Sequence, residues 1–233
     1  MESKSVHNST VGELVADDFR AATILRRAGI DFCCGGEKTL VEACKETGAE
    51  LTEIAGQLEL LALTPVEHSI NYKEWDTGFL GDYIVNTHHK YVTESLPELL
   101  YYTRRISEVH GNHHPELIEV AGLLLMVNDE LVQHMRMEEE VLFPALKTEK
   151  LPLSEAVRSM IMKEVTRMKG EHEFAGWAMG RIRILTENYS IPPDACNTYQ
   201  VTLNLLRQFE ENLHIHVHLE NNILYPNALK MAQ

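Results

Sequence analysis

Positive charge, aromatic rings and cysteine are all scarce in this chain. Its 233 residues include 21 Lys and Arg against 35 Asp and Glu, 7% aromatics and four cysteines. Four cysteines are too few for a small secreted domain stapled by disulfides. The net charge of -14, with no Lys/Arg cluster of the size phosphate binding needs, excludes a nucleic-acid partner. No apolar run approaches the ~20 residues of a membrane helix. The longest candidate, EVAGLLLMVNDELVQHM, is broken by Asn128, Asp129 and Glu130. The opening MESKSVHNSTVGELVADDF shows no positively charged leader followed by an apolar stretch. A cytoplasmic protein with neither a membrane nor a nucleic-acid partner is therefore expected.

Strand signals are nearly absent too, and helical ones run throughout. Thr10 followed by Glu13 and Thr39 followed by Glu42 have capping-box spacing, with Gly29 and Gly48 as helix terminators. These features predict a small helical domain over 1–61, with a further helix in ELTEIAGQLELLA. The stretch around LTPVEHSINYKEWD has Pro65 and no periodicity, and reads as a linker over 62–76. Beyond it, helices are expected at 77–95, 97–111, 117–143, 154–188 and 194–223, separated by Pro97, GNHHP, KTEKLP and YSIPPDA. The fold class is all-α, a small N-terminal unit followed by a helical bundle over 77–233.

What the chain has in plenty is histidine: twelve residues, seven of them within 110–134 and 214–218. His134 and Glu138 stand four apart, as do His216 and Glu220, so each pair shares a helical face. The two pairs sit in matching frames, HMRMEEEVLFPAL and HVHLENNILYPNAL, each followed by an aromatic residue and Pro: Phe143-Pro144 and Tyr225-Pro226. A lone pair of this kind is usually a surface ion pair. Two copies in matched apolar frames, with His89, His110 and His172 on the intervening helices, point to a buried pair of metal ions. Imidazole and carboxylate without thiolate favour iron, manganese or cobalt. His216 is preferred over His214 and His218 because Glu220 lies four residues beyond it. His89 and His110 are separated by ~31 Å along a straight helix, so both reach one site only if the chain turns back near Pro97.

Over nearly all of residues 8–229 the chain resembles the iron–sulfur cluster repair family of di-iron proteins (repair of iron centres, ScdA/YtfE type), whose second domain is hemerythrin-like. TVGELVADDFRAATILRRAGIDFCCGGEKTLVEAC, HHKY, HMRMEEEVLFP and HVHLENNILYP carry the resemblance. It implies two non-haem irons, bridged by carboxylate with room for an oxo group, on His89, His110, His134, Glu138, His172, His216 and Glu220. At the first ligand HH offers His88 as well, and the distance to the following LPEL favours His89. The implied activity is repair of clusters damaged by nitrosative or oxidative stress, through transient contact with damaged iron–sulfur proteins and with nitric oxide or dioxygen as small ligands. A homodimer is among the assemblies it allows.

Three function classes follow: iron supply to a damaged cluster, nitric oxide reductase-like detoxification, or oxygen and redox sensing of hemerythrin type. The vicinal Cys33 and Cys34, followed by Gly35 and Gly36, argue against a simple carrier. A buried structural pair is the plain alternative, but the glycines make the segment accessible. The two thiols are expected to do the work of repair from outside the di-iron site.

Overall fold

The computed structural model describes residues 6–63, 71–147 and 153–233. In the N-terminal unit, α1 (Val11–Asp17), α2 (Ala21–Arg27), α3 (Leu40–Thr47) and α4 (Leu51–Leu63) are short. Both expected capping boxes form, Thr10 with Glu13 and Thr39 with Glu42. The two cap residues are themselves paired by an isolated β-bridge, so α1 and α3 start side by side. Gly29 and Gly48 adopt φ of 71° and 74°, the left-handed conformation in which a Cβ is strained.

The second unit is a bundle of four long helices: α6 (Lys90–His110), α7 (Glu116–Met137), α9 (Glu155–Leu185) and α10 (Asn197–Leu219). Around the ring, α6 packs on α7, α7 on α9, α9 on α10 and α10 on α6. The shorter α5 (Thr77–Ile84), α8 (Phe143–Leu146) and α11 (Tyr225–Met231) extend three of these helices and close one end of the bundle. Each extension is joined by a single π-turn: Val85–His89, Glu138–Leu142 and Glu220–Leu224.

Pro97 is where the expectation fails. It lies inside α6, which runs unbroken from Lys90 to His110. Packing of Val92, Leu96, Leu99 and Ile106 into the core keeps the helix continuous past the missing N–H. The chain does not turn back there.

The N-terminal unit is docked on the bundle. Val11, Leu25, Phe32 and Cys33 share one buried apolar cluster with Ala175, Ala178, Leu213 and Val217. Ion pairs Lys169–Glu37 at 2.9 Å, Arg26–Glu211 at 3.0 Å and Lys73–Asp17 at 2.6 Å surround it. Of the expected linker, residues 64–70 lie outside the described residues; Tyr72–Glu74 forms a 3-10 turn with Tyr72 buried against Phe19, Trp75 and Tyr83. Among the described residues no helix is long and apolar enough to cross a membrane.

Candidate metal centre

The three π-turns lie where the expected ligands are. A π-turn widens the helix by one residue and is common at functional sites. Here the N–H of Phe143 returns to the Glu138 carbonyl and that of Tyr225 to the Glu220 carbonyl. In both frames Pro follows at once and offers no N–H of its own, which favours the wider turn. The first π-turn, Val85–His89, splits the two adjacent histidines. His89 faces the bundle centre, whereas His88 Nδ1 meets Asn212 Oδ1 at 3.1 Å.

Six side chains converge, each at most 2% exposed: His89, His134, Glu138, His172, His216 and Glu220. They form two positions. In the first, His216 Nε2 is 2.9 Å from Glu220 Oε1, and His89 Nε2 is 3.3 Å from Glu138 Oε2 and 3.6 Å from Glu220 Oε1. In the second, His134 Nε2 is 3.0 Å from His172 Nε2 and 3.2 Å from Glu138 Oε2, while His172 Nε2 is 3.1 Å from Glu220 Oε2. Two nitrogens on one ion at ~2.1 Å stand roughly 3 Å apart at a right-angled geometry. Both glutamates touch both positions.

The residues fit a cation. His89 Nε2, Glu138 Oε2 and Glu220 Oε2 are buried and aimed inward, meeting only one another and the neighbouring imidazoles without a well-formed hydrogen bond. Orphaned polar atoms cost free energy in a dry core, and a shared cation removes that cost. The backs of the rings are held as metal-binding imidazoles usually are. His89 Nδ1 pairs with Glu139 at 2.8 Å, His134 Nδ1 with Glu171 at 2.8 Å and His172 Nδ1 with Asn221 at 3.0 Å. Tyr225 donates its hydroxyl to Glu138 Oε1 at 2.6 Å. The repeat frames have matching roles here, since the Phe143 ring stacks on His89 and the Tyr225 ring on His172.

Without metal the cluster is a set of buried ion pairs. Burial opposes charge on His89 and His134, but the hydrogen bonds and charges of Glu138 and other glutamates outweigh it and push both imidazoles up to about 10. Burial and the Glu220 charge oppose ionisation of Glu138, yet His134 and His89 pull it down to about 2. Burial pushes His216 down.

His110 is not brought to this cluster. It ends α6, ~31 Å from His89 at 1.5 Å per residue, and its Nε2 lies 3.2 Å from Cys196 Sγ. The length of α6 keeps it away from the six converging side chains. Residue pattern alone missed Glu139, Glu171, Asn221 and Tyr225; the only available signals were the EEE and ENN runs and the aromatic at the repeat's equivalent position. Cys33 and Cys34 stand just outside. Cys34 Sγ lies 3.4 Å from the backbone carbonyl of His172, and Asn221 and Asn222 donate to the Cys33 carbonyl at 3.4 and 3.3 Å.

Residues 7–62 match the ScdA_N family, described as a domain of unknown function (DUF542), and residues 80–228 match the hemerythrin HHE cation binding domain. The iron–sulfur cluster repair protein YtfE of Enterobacter sp. (strain 638) is 33% identical over 222 residues, covering 94% of this chain and 96% of its own. The protein of the same description from Citrobacter koseri is 32% identical over 228 residues, 97% of this chain and 98% of its own. That from Escherichia coli O81 is 32% identical over 222 residues, 94% and 96%. With a hemerythrin-like domain matched over more than half of it and repair proteins aligned along nearly its whole length, the chain belongs to the YtfE-type iron–sulfur cluster repair family.

Proposed function

We propose that this protein repairs iron–sulfur clusters damaged by nitrosative or oxidative stress, drawing on a di-iron centre held by His89, His134, Glu138, His172, His216 and Glu220. Those residues would hold ferrous iron for supply to damaged iron–sulfur proteins in the cytoplasm. Glu138 and Glu220 neutralise two cations inside a low-dielectric bundle, and Tyr225 steadies the carboxylate of Glu138. Glu139, Glu171 and Asn221 fix the ring orientation of three ligands.

Cys33 and Cys34 are the working thiols, acting beside the centre and not within it. The observation that carries this reading is the 3.4 Å contact of Cys34 Sγ with the His172 carbonyl, which brings a half-exposed thiol against the back of a buried ligand. The vicinal pair thus stands beside His172, where it would be placed to take up iron that the cluster held.

Replacing both cysteines with serine tests it. The double variant should retain two irons per chain and lose recovery of a nitric-oxide-damaged cluster protein in a reconstituted assay. Normal repair together with normal nitric oxide consumption by the variant would make the thiols structural. Normal repair with loss of nitric oxide consumption would instead assign the chain to nitric oxide reduction with electrons relayed by cysteine.

A further inference from the structure

Asp31 precedes the vicinal cysteines and organises them. Its Oδ1 accepts from the backbone N–H of Cys33 at 2.9 Å and of Cys34 at 3.0 Å, and Oδ2 accepts from Gly35 N–H at 3.1 Å. Oδ1 also accepts from the Cys33 thiol at 3.1 Å. The carboxylate that folds the turn therefore stands beside the sulfur it positions. The two sulfurs are free thiols 3.9 Å apart. Two thiolates on one tetrahedral ion at ~2.3 Å each stand about 3.8 Å apart. The oxygen and both sulfurs all lie within 4.8 Å of one another.

We propose that Asp31, Cys33 and Cys34 form a third metal position, separate from the histidine–glutamate cluster, which takes one divalent ion of borderline softness such as iron(II). A mixed sulfur and carboxylate donor set suits such an ion. The surroundings favour a cation. A cavity of about 200 Å³ opens on the two cysteines and is lined by Glu37 and Glu173, with Lys169 already paired to Glu37. On the other side of the turn, Arg26 is held by Glu211 and Arg183 lies beside Glu210. Binding releases the two thiol protons to solvent and transfers no electrons. The position deepens the repair reading, on which its role as a way-station depends; the site itself does not depend on it. Asn221 joins the two places, its oxygen accepting from His172 Nδ1–H and its amide N–H donating to the Cys33 carbonyl.

Cobalt(II) titration of the full chain without oxygen provides the test, because a thiolate-to-cobalt charge-transfer band reports sulfur ligation alone. The band should grow to one cobalt per chain, vanish in Cys33→Ser and in Cys34→Ser, and persist in Glu138→Ala. Asp31→Asn should weaken the cobalt affinity of that band at least tenfold. Asp31→Ser, which keeps a short acceptor for the turn, should do the same with unchanged circular dichroism. No band at saturating cobalt, or a band surviving both cysteine variants, overturns the proposal. Wild-type affinity in both Asp31 variants removes Asp31 from the site and overturns it equally. Loss of the di-iron reading would appear separately, as two irons missing from a chain that still shows the band.

Discussion

His89 and His134 carry protons in the metal-free cluster up to about pH 10, because their glutamate partners outweigh the cost of burial. A metal ion must displace those protons. Loading this cluster at pH 7, in a chain with Cys33 and Cys34 replaced by serine, should therefore release about two protons, and affinity should fall about tenfold per proton for each pH unit of acidification. Calorimetry in buffers of different ionisation enthalpy measures the count; no proton release would contradict the pairing. The same geometry ranks substitutions. Glu138→Ala or Glu220→Ala removes a carboxylate that touches both positions, and iron should drop from two per chain to below one. His110→Ala, at the far end of α6, should leave iron content unchanged. Equal losses in all three variants would show that the glutamates are mere neighbours.

At the scale of elements, the π-turn Glu220–Leu224 links the bundle to the small domain through consecutive residues. Glu220 faces the buried histidine–glutamate cluster, Asn221 holds His172, and Asn222 reaches the Phe32 carbonyl at 3.1 Å. Asn222 is plugged between two glycines: a Cβ at Gly12 or at Gly36 would overlap its amide. Gly36→Ala should accordingly destabilise the docked state by about 1–3 kcal/mol, the usual cost of overpacking. Faster limited proteolysis of the N-terminal unit would report it. Asn222→Ala in the same chain should recover much of the loss by opening the space. If the double variant is worse than either single one, the steric account is wrong. The repeated frames HMRMEEEVLFPAL and HVHLENNILYPNAL made the two ligand pairs legible in advance. The turn itself was not legible, since a π-turn leaves a helical residue pattern almost unchanged.

For the whole molecule, acid stability is set by histidines that fold away neutral. Burial pushes His88, His214 and His218 down to about 4. The unfolded chain takes up those protons near pH 6.5, while the folded one resists until about pH 4. Stability of the metal-free protein should therefore fall as pH drops through that window. His89 and His134 act in the opposite sense: their contribution is complete below 6.5 and is lost as pH rises toward 10. Glu138 adds a loss only below its usual range, as pH falls from 4.5 toward 2. A urea midpoint near its maximum around neutrality, declining between pH 6.5 and 4, is the expected profile. A midpoint that holds steady to pH 4.5 would place these histidines in contact with water.

Residue types and spacing by themselves determined the all-helical class, both capping boxes, the two His-x-x-x-Glu pairs and the standing of Cys33 and Cys34 apart from them, because caps, helical faces and turns are local and their chemistry is carried within a few residues. Only the tertiary structure decided the rest. Whether Pro97 breaks a helix depends on the core packed around it, and with that decision His110 passed from candidate ligand to the far end of the bundle. Spacing already favoured His89 over His88, but the physical reason lies in the π-turn, which brings His89 to the cluster and leaves His88 on Asn212. The partners Glu139, Glu171 and Asn221, and the approach of Cys34 to His172 across 138 positions of chain, are contacts between elements distant in sequence. Their energies come from burial and mutual geometry, which no local pattern encodes.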